Sequence, residues 1–180
     1  MKRFMAICAA AMLLPAALCA QEKFFGLRLG EKVDGEMLKA LVGRQGTFKG
    51  CREYRGLLGE RGTAYHFAKT YYAGCVWADV DFIAASDSTL TAFEAYEQTC
   101  NCPDARFEAA DRYKTLKARY DSSCGEGDET FDAEYGKFAR DNGKANVECM
   151  WNMDGGCIEL SNRKAEGSHQ RTVRLRFTSR

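Results

Sequence analysis

The sequence predicts an α+β protein, an antiparallel sheet with helices packed on one face. Three observations predict it. Short segments with period-two hydrophobicity recur along the chain, the clearest being Gly74-Cys75-Val76-Trp77-Ala78-Asp79-Val80-Asp81-Phe82. Turn signals such as Met153-Asp154-Gly155-Gly156 join such segments as hairpins. Two further stretches, behind Asp34 and Asp104, instead repeat apolar residues every three or four positions.

The elements follow in order. Phe24 to Gly30 reads as a short strand, through Phe25, Leu27 and Leu29. Asp34 caps a helix to about Val42, with Met37, Leu38, Leu41 and Val42 as its stripe and Gly43 as its stop. Residues 46–62 form a glycine-rich loop with a short strand near Phe48 to Tyr54. Thr63 to Thr70 is a strand with Tyr65, Phe67 and Lys69 on one side. After the turn at Tyr72-Ala73-Gly74, the central strand runs to about Ala84. Strict alternation sends Val76, Ala78, Val80 and Phe82 to the core, and Cys75, Trp77, Asp79 and Asp81 to the opposite face. Leu90 to Gln98 reads as a helix through Leu90, Phe93 and Tyr96, a continued strand being the alternative. Pro103 breaks it. Asp104 then caps a helix to about Tyr120, through Phe107, Ala110, Tyr113, Leu116 and Tyr120. Glu129 to Arg140 reads as another helix. Three strands close the chain: Ala145 to Trp151, Cys157 to Asn162, and a last one with Val173, Leu175 and Phe177 inward and Arg174 and Arg176 outward. The order is β-α-β-β-α-(α)-β-β-β, in one domain spanning 21–180.

Residues 1–20 read as a signal peptide. Lys2 and Arg3 precede an apolar run from Phe4 to Leu18, too short for a comfortable membrane span. Ala20 before the polar Gln21-Glu22-Lys23 marks the cleavage site. A lipoprotein anchored at Cys19 is the competing reading, and the bulk of Leu18 weighs against it. The expected address is secreted or periplasmic, with no transmembrane segment in the mature chain. Of 26 basic residues Lys2 and Arg3 are lost, against 25 acidic ones, so the mature net charge is −1. That gives no pull toward nucleic acid.

Seven of the nine cysteines lie in the mature chain: Cys51, Cys75, Cys100, Cys102, Cys124, Cys149 and Cys157. In an exported protein they read as disulfide candidates, with one left over. Both tryptophans follow a cysteine by two, as Cys75-Val76-Trp77 and Cys149-Met150-Trp151. Cys51 and Cys124 precede these motifs at nearly equal spacing. This pattern suggests degenerate tandem units near 24–99 and 104–178, with Cys51–Cys75 and Cys124–Cys149 as pairs. A helix over 104–120 is about 25 Å long, which separates Cys124 from Cys100 and Cys102.

The opening Phe25-Gly26-Leu27-Arg28-Leu29-Gly30, the helix end Leu116-Lys117-Ala118-Arg119-Tyr120, and Trp151 with Gly156-Cys157-Ile158-Glu159-Leu160 resemble small secreted bacterial proteins of unknown function. More distantly the layout resembles the beta-lactamase-inhibitor-protein-like fold, shared with the small outer-membrane assembly lipoproteins. The resemblance implies helices on one face of an antiparallel sheet. The inhibitor proteins are tandem copies of such a unit. No inhibitory residue carries over.

Candidate chemistry is sparse. Cys100-Asn101-Cys102 has the makings of a redox dithiol or half a soft-metal site, against two structural half-cystines. His66 and His169 are the only histidines, and neither lies in a recognisable catalytic motif. Asp79 and Asp81, about 7 Å apart on one strand face, suit calcium or a basic partner, or are simply a solvated face. The acidic run 121–129 lacks the ligand spacing of an EF-hand. Arg171, Arg174, Arg176 and Arg180 read as a basic edge strand. Trp77, exposed beside Asp79 and Asp81, is the candidate binding face, with His66 a further candidate binding residue. The reading is a non-catalytic protein-binding module with no metal and no cofactor. The alternatives are a cysteine-dependent redox or hydrolytic enzyme and an envelope-assembly accessory.

Overall fold

The computed structural model describes residues 23–56, 59–132, 144–164 and 166–179. In chain order the elements are α1 (Gly35–Val42), β1 (Thr47–Arg55), β2 (Arg61–Tyr72), β3 (Cys75–Ala85), β4 (Leu90–Cys100), α2 (Pro103–Cys124), β5 (Asp128–Phe131), β6 (Val147–Met153), β7 (Gly156–Lys164) and β8 (Gln170–Ser179). The strands form one antiparallel sheet in the order β1-β2-β3-β4-β8-β7-β6-β5. Two four-stranded meanders, each following a helix, meet where β4 pairs with β8. Both helices pack against one face.

The α+β class and the one-sided packing are as the sequence predicts. Several elements are not. Leu90–Cys100 is a strand, because Phe93 and Ala95 alternate into the core while Glu94 and Tyr96 take the other face. Asp128–Phe131 is a strand where a helix is expected; the rest of that segment, with Tyr135 and Phe138, lies outside the described residues. Phe24 to Leu27 is a tight turn closed by paired Phe24 and Leu27 backbone bonds, with Phe25 at φ 56° and Gly26 at φ 93°. The two cysteine–tryptophan motifs fall on non-equivalent strands, β3 as third of one meander and β6 as second of the other. Their spacing is therefore not the spacing of the meanders.

The last strand is not an edge. β8 lies between β4 and β7, and the edges are β1 and β5. Arg174 and Arg176 do face away from the core, as alternation predicts. Arg171 faces inward and is 1% exposed.

Asp34 caps α1, its Oδ1 accepting from the Met37 N–H at 2.8 Å. Leu38 and Val42 are buried, while Met37 and Leu41 remain exposed. On α2, Ala109, Ala110, Tyr113, Leu116 and Tyr120 are buried. The core is aromatic. Phe93 of β4 stacks on Phe24 at 4.6 Å between ring centroids and meets Tyr72 at 4.8 Å edge-on. Directly across the β4–β8 junction its partner is Phe177, which Tyr120 of α2 covers.

Trp77 is fully buried, contrary to the strict alternation of β3. The β2–β3 ladder runs from Ala68–Asp79 to Thr70–Trp77 and leaves Lys69 and Ala78 out of it. Lys69 adopts φ 52°. The Ala78 N–H donates instead to Glu97 Oε2 at 2.7 Å. One such irregularity in each strand reverses which residues face inward beyond it. Trp77 and Tyr72 thereby join the core and Val76 is turned out, 56% exposed. The indole N–H donates to the Tyr72 carbonyl at 3.0 Å. Arg112 of α2 lies over the ring and donates to the Val76 carbonyl. Trp77 is a packing residue of the core and not the exposed anchor that alternation predicts.

Candidate functional site

The face away from the helices carries the polar site. His66 of β2 pairs with Asp81 of β3, and Asp81 with Glu94 of β4. Glu94 in turn opposes Arg176 of β8, and Tyr96 opposes Arg174. Alternation on four adjacent strands therefore stacks these side chains in one row.

His66, Asp79 and Asp81 are brought together as a unit. His66 Nδ1 lies 2.8 Å from Asp81 Oδ1, and Nε2 lies 3.2 Å from Asp79 Oδ1. Arg52 of β1 donates to the other Asp81 oxygen at 2.7 Å. The partner of the aspartates is thus basic, but it belongs to this chain. Asp81 strengthens the Arg52 guanidinium's hold on its proton. Burial, with Asp81 and Asp79 behind it, pushes the Tyr96 phenol above its ordinary value. Glu94 accepts from Arg174 at 3.1 Å and lies 2.8 Å from Arg176 Nε. Among the described residues no group of three or more carboxylate, histidine or cysteine ligands is arranged to hold a metal.

The charges are layered. Asp81 is 3% exposed beneath an Arg52 that is 64% exposed. Glu94, at 16%, lies beneath Arg174 at 34%. Toward the β5 side Arg163 covers Glu148 in the same manner. The anions form the floor and the guanidiniums the outer layer. At one end of the face a hollow of about 360 Å³ is lined by Tyr54, Ile83, Ala92, Arg176 and Thr178.

Sequence reasoning missed Arg52, Glu94 and Tyr96. The signal existed, since a strand over 90–100 puts Glu94 and Tyr96 on the face of Asp81; the helical reading of Leu90, Phe93 and Tyr96 hid it. His169 lies elsewhere, its carbonyl accepting from the Asn101 N–H.

The cysteines depart furthest from expectation. Cys100 and Cys102 are bonded to each other. Cys51, Cys75 and Cys149 are free thiols, so neither Cys51–Cys75 nor Cys124–Cys149 forms. Register explains the first. Cys51 pairs with Tyr65, Tyr65 with Phe82, and Cys75 lies about 23 Å further along β3.

Fold and site together define an α+β protein of two meanders sharing one sheet, with an ordered polar face opposite its helices. No protein-family model, no curated protein and no solved structure matches the chain.

Proposed function

We propose that this chain is an exported protein-binding module whose non-catalytic contact surface is the polar face of the sheet, and that its partner presents an acidic loop. The layering of charge carries this reading. Asp81 and Glu94 are each covered by an arginine more exposed than they are, Arg52 at 64% and Arg174 at 34%. Arginine keeps five donors in a planar fork, so an arginine spending one or two on a buried anion can take a second carboxylate from a partner. The hollow beside Arg176 offers an apolar floor from Ile83 and Ala92 for one anchoring side chain.

The test is quantitative capture from the envelope fraction, comparing the wild-type mature protein with an Arg52→Gln, Arg174→Gln, Arg176→Gln variant. A partner retained by the wild type, lost by the variant and eluted by salt supports the reading. Equal capture by both proteins removes the polar face from consideration.

A further inference from the structure

At the junction of β4 and α2 the chain runs Cys100-Asn101-Cys102-Pro103, and the two exposed cysteines are bonded to each other. This bond contributes little to the fold. It closes a ring of three residues, and the stabilisation from a cross-link shrinks with the loop it closes. It joins β4 to nothing beyond the residue preceding α2.

Its surroundings suit reactive sulfur. Cys102 is the N-cap of the 22-residue α2, and its side chain makes no capping hydrogen bond there. A thiolate at that position lies at the positive end of the helix. Asn101, between the two cysteines, is held from both sides. Its N–H donates to the His169 carbonyl at 2.7 Å, and its Oδ1 accepts from Arg171 Nε at 3.4 Å. Arg106, one turn into the helix, donates its backbone N–H to the Cys102 carbonyl. Burial, and behind it the charge of Arg106, weakens the Arg171 guanidinium's hold on its proton, so the two cations feel one another. Arg171 thus fixes the residue between the two cysteines, and α2 begins at the exposed disulfide itself.

We propose that Cys100 and Cys102 form a thiol–disulfide exchange pair acting on dithiols and disulfides of other exported proteins, a second site independent of the polar sheet face. A substrate thiolate attacks Cys100 Sγ. The bond between the two cysteines breaks and Cys102 leaves as thiolate, the better leaving group because of its place at the helix end. A second substrate thiolate attacks the substrate sulfur of the mixed disulfide, closes the substrate disulfide and expels Cys100. Two electrons pass from the substrate dithiol to the pair, and its two protons finish on the Cys100 and Cys102 thiols. In the reduced state the same steps run backward on a substrate disulfide.

The test has two arms. Mature protein is equilibrated across glutathione buffers, and Cys100 and Cys102 are quantified by alkylation and peptide mass. Reactivation of scrambled ribonuclease is then followed for the wild type, Cys102→Ser and the Cys100→Ser, Cys102→Ser variant. The pair should convert reversibly within the glutathione range, and both variants should lose at least tenfold in reactivation rate with unchanged melting. A pair that stays oxidised, or stays reduced, across the whole range overturns the proposal without any variant. So does a double variant as fast as the wild type, which would assign exchange to another thiol such as the exposed Cys51. The arginine variant of the polar face should retain full reactivation, so either proposal can fail alone.

Discussion

His66 sits between two aspartates of one strand, with Asp81 2.8 Å from Nδ1 and Asp79 3.2 Å from Nε2. The two contacts are unequal in burial. Asp81 is 3% exposed and also holds Arg52, whereas Asp79 is 35% exposed. Replacing Asp81 by asparagine removes the charge and leaves one acceptor oxygen where the imidazole and the guanidinium now use two. Asp81→Asn should cost about 1–3 kcal/mol, and Asp79→Asn under about 1 kcal/mol. Urea unfolding measures both. Equal losses would mean that the site is an ordinary solvated surface and not an ordered unit.

The burial of Trp77 yields a second expectation. Its ring is enclosed by β2, β3 and Arg112, so Trp77→Ala should cost about 3–5 kcal/mol. The irregularity at Lys69 is testable separately. Glycine inside a strand ordinarily destabilises it, but at φ 52° it relieves a left-handed conformation. Lys69→Gly should therefore leave stability unchanged or raise it. A loss of the usual size for a strand interior would place the reversal of facing elsewhere.

That reversal shows where the sequence stops being legible. Alternation located β2, β3, β6, β7 and β8, and it oriented Val147, Cys149, Trp151, Ile158, Leu160 and Phe177 inward as found. It failed at Trp77 because an irregular residue in each of two paired strands leaves no mark in hydropathy. It failed at Leu90–Cys100 because Leu90, Phe93 and Tyr96 fit a helical period as well as a strand whose two faces are both partly covered. Asp79 and Asp81 were legible on one strand face, and His66 as a separate candidate on the neighbouring strand. Their convergence with Arg52 was not, because it depends on the β1–β2 register, which shifts between Phe48 and Gly50. Arg171 shares the inward parity of Val173, Leu175 and Phe177, so its facing was legible; the edge reading of β8 failed because strand order is a long-range property.

Asp121 and Trp151 provide a third prediction. Asp121 Oδ1 accepts from the Trp151 indole and from the Gly127 N–H, both at 3.1 Å, while Lys117 donates to Oδ2. Burial alone would raise the Asp121 pKa, but these three donors outweigh it and hold the carboxylate below its ordinary range. The stability it contributes is present above the unfolded carboxylate pKa and is lost as pH falls through the depressed folded value. Gly127 is tight against the same indole; a Cβ there would lie 2.6 Å from Cys149 Sγ and from Trp151 Cε2. Gly127→Ala should cost about 1–3 kcal/mol by overpacking, and Asp121→Asn should flatten the acid limb of the stability profile. A Gly127→Ala protein as stable as the wild type would show that the turn from α2 into β5 is not fixed against Trp151.

The alkaline limb belongs to Cys149 and Tyr113. Burial pushes the Cys149 thiol up to about 11 from an ordinary value of 9.0. Burial, then the charge of Glu129 accepting from its hydroxyl, raises the Tyr113 phenol as well. The sign follows from proton counting. Between pH 9 and about 11 the unfolded chain releases a thiol proton that the folded chain keeps. The stabilising contribution is therefore complete below pH 9 and is lost as pH rises through the folded value. Cys149→Ala removes the titrating group, at the cost of a small buried side chain. It should lower stability at pH 7 while flattening the decline between pH 8 and 10.5 in parallel urea titrations. At pH 8 the exposed Cys51 should be alkylated well before Cys149. A Cys149→Ala protein that declines as steeply as the wild type would assign the alkaline transition to Tyr113, and Tyr113→Phe would then be the variant that flattens it.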